Sequence, residues 1–187
     1  MKRRQYLWNK KLSLEYYAAF TLIELIMTMA LAAIILTLGV PSFQEIIRNN
    51  RLATIANDFI GSLHLTRSEA IKRGLRVTLC KSADGVACAN SGGYEQGWLI
   101  FVDLNNNTVV EANEPIIRVF SAISSDRTTL TGNAPVARYI SYVATGTTQL
   151  TSGSFQAGTV TLCDAPKARQ IVINTTGRVR LEQTNCL

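Results

Sequence analysis

The feature that most limits what this chain can fold into is a long apolar run. From Phe20 through Leu22, Ile23, Leu25, Ile26, Met27, Leu31, Ile34, Ile35 and Leu38 to Val40, the only ionisable side chain is Glu24. About 20 apolar residues wound as a helix cross the ~30 Å hydrocarbon layer of a bilayer, and a helix satisfies its own backbone there. Residues 20–40 therefore read as a membrane-spanning helix. A lone carboxylate in lipid costs a few kcal/mol, so Glu24 calls for a purpose or a partner.

Charge places the rest of the chain. Lys2, Arg3, Arg4, Lys10 and Lys11 against Glu15 give residues 1–19 a net +4 of the chain's +6, leaving +2 for residues 20–187. A general polyanion-binding surface is not indicated, and any basic site must be local. Basic residues beside a membrane segment stay on the cytoplasmic side, so the residues beyond the spanning helix are exported as one globular head. Four cysteines in an exported head suit an oxidising compartment.

Phe20-Thr21-Leu22-Ile23-Glu24-Leu25, opening an apolar helix behind a short basic leader, resembles the processing signature of type IV prepilins and type II secretion pseudopilins. The resemblance implies that a prepilin peptidase in the inner membrane cuts between Ala19 and Phe20 and that the new Phe20 amine is methylated. It also implies that Glu24 pairs with that amine on a neighbouring subunit during assembly, which gives the carboxylate its partner. These families nearly always have Gly where this chain has Ala19; Ala is small enough that cutting is expected to continue. The other reading is an ordinary signal anchor.

Pro41 follows the run and is expected to bend the continuing helix. From Ser42 to about Arg73, the apolar residues Phe43, Ile46, Ile47, Ile55, Phe59, Leu63 and Ile71 recur at helical spacing, with Arg48, Arg51, Asp58, Arg67 and Lys72 between them. This predicts an amphipathic helix that packs its stripe under the head and stops at Gly74. His64, the only histidine, lacks nearby metal ligands and reads as a partly buried helix residue. After Gly74 the period changes to runs rich in β-branched and aromatic residues: 76–80, 98–102, 115–120, 137–143, 158–163 and 168–173. The expected fold is α+β: a leader over 1–19, a spanning helix over 20–40, its amphipathic continuation over 41–74, and an antiparallel β head of two small sheets over 75–187. Helix first and six to eight strands afterwards is also the order that the GspH/FimT-like branch of minor pilins implies.

Four cysteines allow three pairings. Cys80 and Cys88 flank a turn-forming segment, Cys163 closes a strand, and nearest-neighbour pairing gives Cys80–Cys88 and Cys163–Cys186. The rival, a zinc site, lacks a close CxxC pair. Asp103, Asn105, Asn107 and Glu114 have the spacing of an EF-hand calcium loop, but its glycine position holds Thr108. A hydrogen-bonded turn is the default, and no cofactor is expected.

The segment Gly177-Arg178-Val179-Arg180 is the local basic site. Alternation in an extended strand puts both guanidinium groups on one face, roughly 7 Å apart and close to the phosphate spacing along one DNA strand. Lys167 and Arg169 would extend that face if the tail pairs back on their strand. A Gly-Arg-x-Arg tail is similar to the feature by which FimT-like minor pilins of naturally transformable bacteria capture extracellular DNA, and Gly177, Arg178 and Arg180 match it residue by residue. The resemblance thus implies a subunit of a surface pilus, with DNA and other major and minor pilins as partners. Two alternatives stay open. One is an H-type pseudopilin of a type II secretion system, or a priming minor pilin, without DNA binding; the other is that the two arginines merely protect a sheet edge. No acid, base and nucleophile set points to an enzyme.

Overall fold

The computed structural model describes residues 20–125 and 127–186, so the leader, with Ala19 of the cut site, lies outside the described residues. The chain divides into two units, Met1–Gln44 and Glu45–Leu187. Helix α1, Leu22–Arg73, contributes to both.

Thr21 starts α1. Its Oγ1 accepts from the Glu24 amide at 3.3 Å and its carbonyl from the Leu25 amide at 3.1 Å, so two backbone N–H groups at the helix start find partners. Thr21 and Glu24 stand in the capping-box positions, and a carboxylate in the first turn complements the helix dipole. Glu24 therefore stands where it supports the start of its own helix. Phe20, Ile23, Met27, Leu31 and Ile35 are all more than half exposed, so protein covers little of the apolar segment. Among the described residues this is the one helix long and apolar enough to cross a membrane.

In the second unit α1 buries Leu52, Ala56, Phe59, Leu63, Thr66 and Ala70, which recur every three or four residues. Phe59 and Leu63 fall in the predicted stripe. Phe43, Ile46, Ile47 and Ile71 of that stripe are instead more than half exposed, and the small residues Ala56 and Ala70 do the close packing. Gly74, at φ +68°, ends α1 in the left-handed conformation, its amide bonded to the Ala70 carbonyl at 3.0 Å.

Among the described residues eight strands follow, in two four-stranded antiparallel sheets. The first holds β1 (Val77–Lys81), β2 (Trp98–Val102), β3 (Ile116–Phe120) and β5 (Tyr139–Tyr142) in the order β3-β2-β1-β5. The second holds β4 (Thr129–Gly132), β6 (Gly158–Asp164), β7 (Lys167–Ile173) and β8 (Val179–Asn185) in the order β4-β6-β7-β8. Both close on one core, where Phe59 meets Tyr94 and Trp98 edge-on at 5.1 and 5.3 Å beside Leu79, Ile100, Leu162 and Ile171. β1 and β2 are buried on both faces, because Cys80, Leu99 and Phe101 form a second cluster behind the first sheet. That burial explains the unbroken apolar run of β2; in β1 the buried Thr78 hydroxyl donates to Asp103 and the Lys81 ammonium to the Gly92 carbonyl.

Both expected disulfides form, Cys80–Cys88 and Cys163–Cys186. The second ties β6 to the residue after β8, across the intervening β7. Beneath the loops, the buried guanidinium of Arg76 donates to Asn106, Ser141, Leu150 and Gln149, joining three separate segments of the head.

Candidate nucleic-acid interface

The site is the hairpin joining β7 to β8. Asn-Thr-Thr-Gly is a turn signal, and the Asn174 side chain closes the turn itself. Its Oδ1 accepts from the Thr176 amide, the Thr176 hydroxyl and the Arg178 amide at 3.1, 2.8 and 2.9 Å. The Asn174 amide donates to the Arg178 carbonyl at 3.1 Å and the Gly177 amide to the Asn174 carbonyl at 2.9 Å. Gly177 is buried at φ +76°, and a Cβ there would lie 2.4 Å from the Gly146 carbonyl oxygen and 2.8 Å from the Tyr142 ring. Only glycine fits.

Register decides which way the cations point. Opposite residues of an antiparallel pair share a face, and the buried Ile171 and Ile173 face Leu181 and Val179. Val179 thus turns to the core. Arg180, opposite Val172, falls on the outer face, and Arg178, just before β8 and two residues earlier, is likewise exposed. Both are exposed, and together with Asn174 and Val179 they line a depression of about 450 Å³. Arg180 also lies 3.4 Å from Glu182, an exposed pair that solvent screens.

The same register corrects the expectation for Lys167 and Arg169. Opposite Asn185 and Gln183, they share the core-facing side with Ile171 and Ile173, not the face of Arg180. There they hold α1: Arg169 donates to the Asn49 carbonyl at 3.4 Å, and Lys167 bonds the Glu45 carboxylate. The Lys167 hydrogen bond and charge hold the Glu45 carboxyl below its ordinary range. The exposed basic pair is therefore Arg178 and Arg180, without those two. Sequence reasoning also missed Arg67 of α1 and Tyr142 of β5. Both donate to the Gly177 carbonyl at 3.2 Å from 110 and 35 residues away, and no local pattern announces such contacts.

The sequence pattern of the family described as "Type II transport protein GspH" matches residues 56–177. The chain belongs to the GspH family. The GspH match runs from the buried half of α1 through all of β7 and stops at Gly177, so Arg178 and Arg180 lie just beyond it. By structure the GspH head is similar to the type IV minor pilin FimU of Pseudomonas aeruginosa. They share 20% identity and a TM-score of 0.55, over 72% of this chain and 90% of that one. A further similar structure is the minor pseudopilin EpsH of the Vibrio cholerae type 2 secretion system, at 12% identity and a TM-score of 0.47, over 71% and 96% of the two chains. No curated protein matches the chain by sequence.

Elsewhere in this GspH head the oxygens of the calcium-spaced loop bond backbone. Asp103 accepts from the amides of Asn107 and Thr108 at 3.0 and 3.2 Å, Glu114 from those of Leu104 and Glu111 at 2.7 and 3.2 Å, and Asn107 from that of Val109 at 2.7 Å. Asn105 likewise accepts from the Asn107 amide. Asn106 and Thr108 sit in the left-handed region, so the loop is a hydrogen-bonded turn in which the Thr108 backbone takes the conformation usual for glycine. His64 is exposed rather than partly buried. Among the described residues no three His, Cys, Asp or Glu side chains gather as a metal site.

Proposed function

We propose that this chain is a minor pilin whose exported head holds DNA by its phosphate backbone, for uptake in natural transformation. The observation that carries this reading is the exposed pair Arg178 and Arg180, the first held by the Asn174-closed turn just before edge strand β8 and the second within that strand. Guanidinium groups bind phosphate bidentately and without reading sequence. Two contacts per head give weak, salt-sensitive binding. Several heads along a filament strengthen it by avidity.

The same reading assigns the rest of the chain. The peptidase cuts after Ala19, the membrane holds Phe20–Val40 until assembly, and Glu24 then meets the Phe20 amine of a neighbouring pilin. The exposed apolar side chains of that segment support lipid and neighbouring subunits as its successive surroundings.

The test is fluorescence anisotropy of a labelled DNA duplex with the detergent-solubilised full chain. Binding at low salt is expected to fall sharply in Arg178→Gln with Arg180→Gln and to vanish at high salt in the parent. Unchanged binding by the double variant rejects the reading. A second reading, an H-type pseudopilin of a type II secretion system or a priming minor pilin, is favoured by the family's description as a type II transport protein and by a family match that excludes both arginines. It predicts no binding at any salt.

A further inference from the structure

We infer that Arg67 and Tyr142 are positioning residues for the arginine pair: they fix the Gly177 carbonyl, and with it the direction of Arg178 and Arg180, without touching DNA. The inference rests on the DNA reading above. Two donors from different elements, the Arg67 Nη1 of α1 and the Tyr142 hydroxyl of β5, converge on one carbonyl at 3.2 Å each. Tyr142 is fully buried and Arg67 half-buried, so neither side chain swings freely. The Tyr142 ring and the Gly146 carbonyl together also fill the space where a Cβ of Gly177 would stand. The peptide joining Gly177 to Arg178 is thereby clamped at its oxygen by Arg67 and Tyr142, and at its N–H by Asn174.

The clamp matters because two long, exposed side chains must be immobilised to hold a phosphate backbone. If the backbone beneath them also had to be ordered, little binding free energy would remain. A turn fixed in advance removes that second cost. Arg67 contributes differently from Arg178 and Arg180: it acts on backbone from the core side of the sheet, and they act on the ligand.

Salt dependence separates the two roles. Removing a cation that neutralises a phosphate lowers the slope of log K against log salt by about 0.9 per duplex contact. Removing a positioning residue weakens binding and leaves the slope alone. The experiment titrates the same labelled duplex with the detergent-solubilised full chain and its variants from low to moderate salt. Tyr142→Phe, isosteric and without charge to lose, and Arg67→Gln are each expected to weaken binding about three- to tenfold at the parent's slope, with Arg67→Lys recovering part of the loss. Arg178→Gln is expected to lower the slope by about 0.9. Hydrogen exchange at the Arg178 amide is expected to quicken in Tyr142→Phe and Arg67→Gln.

Three results overturn the inference. One is a slope lowered by about 0.9 in Arg67→Gln, which would make Arg67 a phosphate contact. Another is unchanged affinity in both positioning variants while Arg178→Gln with Arg180→Gln abolishes binding, which leaves the DNA reading intact. The third is unchanged exchange at Arg178 in both. Loss of the DNA reading itself is separately visible, as unchanged binding in the double arginine variant.

Discussion

Gly177 and Gly153 make a matched pair on which the reasoning about the turn can be tested. Both are left-handed, at φ +76° and +86°, so an added Cβ strains either backbone by roughly 1–2 kcal/mol. Both substitutions also restrict the unfolded chain alike, so that contribution cancels in the comparison. They differ in surroundings. Around Gly153 nothing lies within 4 Å of the new methyl, whereas at Gly177 it meets the Gly146 carbonyl oxygen at 2.4 Å and the Tyr142 ring at 2.8 Å. One neighbour is backbone and the other a buried ring, so neither yields without displacing something else, and overpacking adds about 1–3 kcal/mol. Gly177→Ala is thus expected to cost about 2–5 kcal/mol and Gly153→Ala about 1–2. Urea unfolding followed by the fluorescence of buried Trp98 measures both. Equal losses in the two variants would refute the close-packed turn, and with it the claim that only glycine serves at the head of the arginine pair.

Other outcomes rest on the same contacts. Arg76→Met removes the bonds of a buried guanidinium to three segments, leaving the buried Ser141 and part-buried acceptors without it, and is expected to lower stability by about 2–4 kcal/mol in urea unfolding, with Arg76→Lys recovering less than half. Replacing Cys163 and Cys186 together by Ser opens a loop with a sequence separation of 23, worth about 3 kcal/mol in the chain-entropy picture. The accompanying fall in melting temperature should match that part of the parent's fall on reduction which Cys80 and Cys88 do not explain. Burial pushes the Tyr142 hydroxyl up to about 12 from an ordinary value near 10. The folded state then holds a proton that the unfolded state gives up, so this contribution to stability is intact below pH 10 and fades as pH rises toward 12. Phenolate absorbance should show a late-titrating tyrosine that is missing in Tyr142→Phe.

What the sequence revealed was local. Helix and strand periods, the stop at Gly74 and the Cys80–Cys88 bridge depend on residues a few positions apart, and the structure has them all; Cys163–Cys186 follows as the remaining nearest-neighbour pair. What it hid depends on pairing. Lys167 and Arg169 group with Arg178 and Arg180 in sequence because all are cations near one hairpin, yet the β7–β8 register sends Lys167 and Arg169 to the face opposite that of Arg180. Strand β4 has the polar sequence Thr-Leu-Thr-Gly and buries only Leu130, too weak a pattern to stand out from a loop. The stripe on α1 differs from the expected one because Ala56 and Ala70 pack closely without looking like anchors, while Phe43, Ile46, Ile47 and Ile71 stay more than half exposed.

The place of β8 in its sheet has a consequence for how such heads diverge. It is an outermost strand, exposed along nearly all its length, and only Val179 reaches the main core. Residues 180–185 are therefore nearly decoupled from the stability of the fold, while the bond from Cys186 to Cys163 keeps the strand in place whatever its outer face carries. Under the DNA reading proposed above, a lineage can exchange Arg180 for a glutamate there, acquiring or discarding part of a grip on a polyanion, with little risk to folding. A single scaffold can in this way supply both subunits that only build a filament and subunits that also seize what drifts past it.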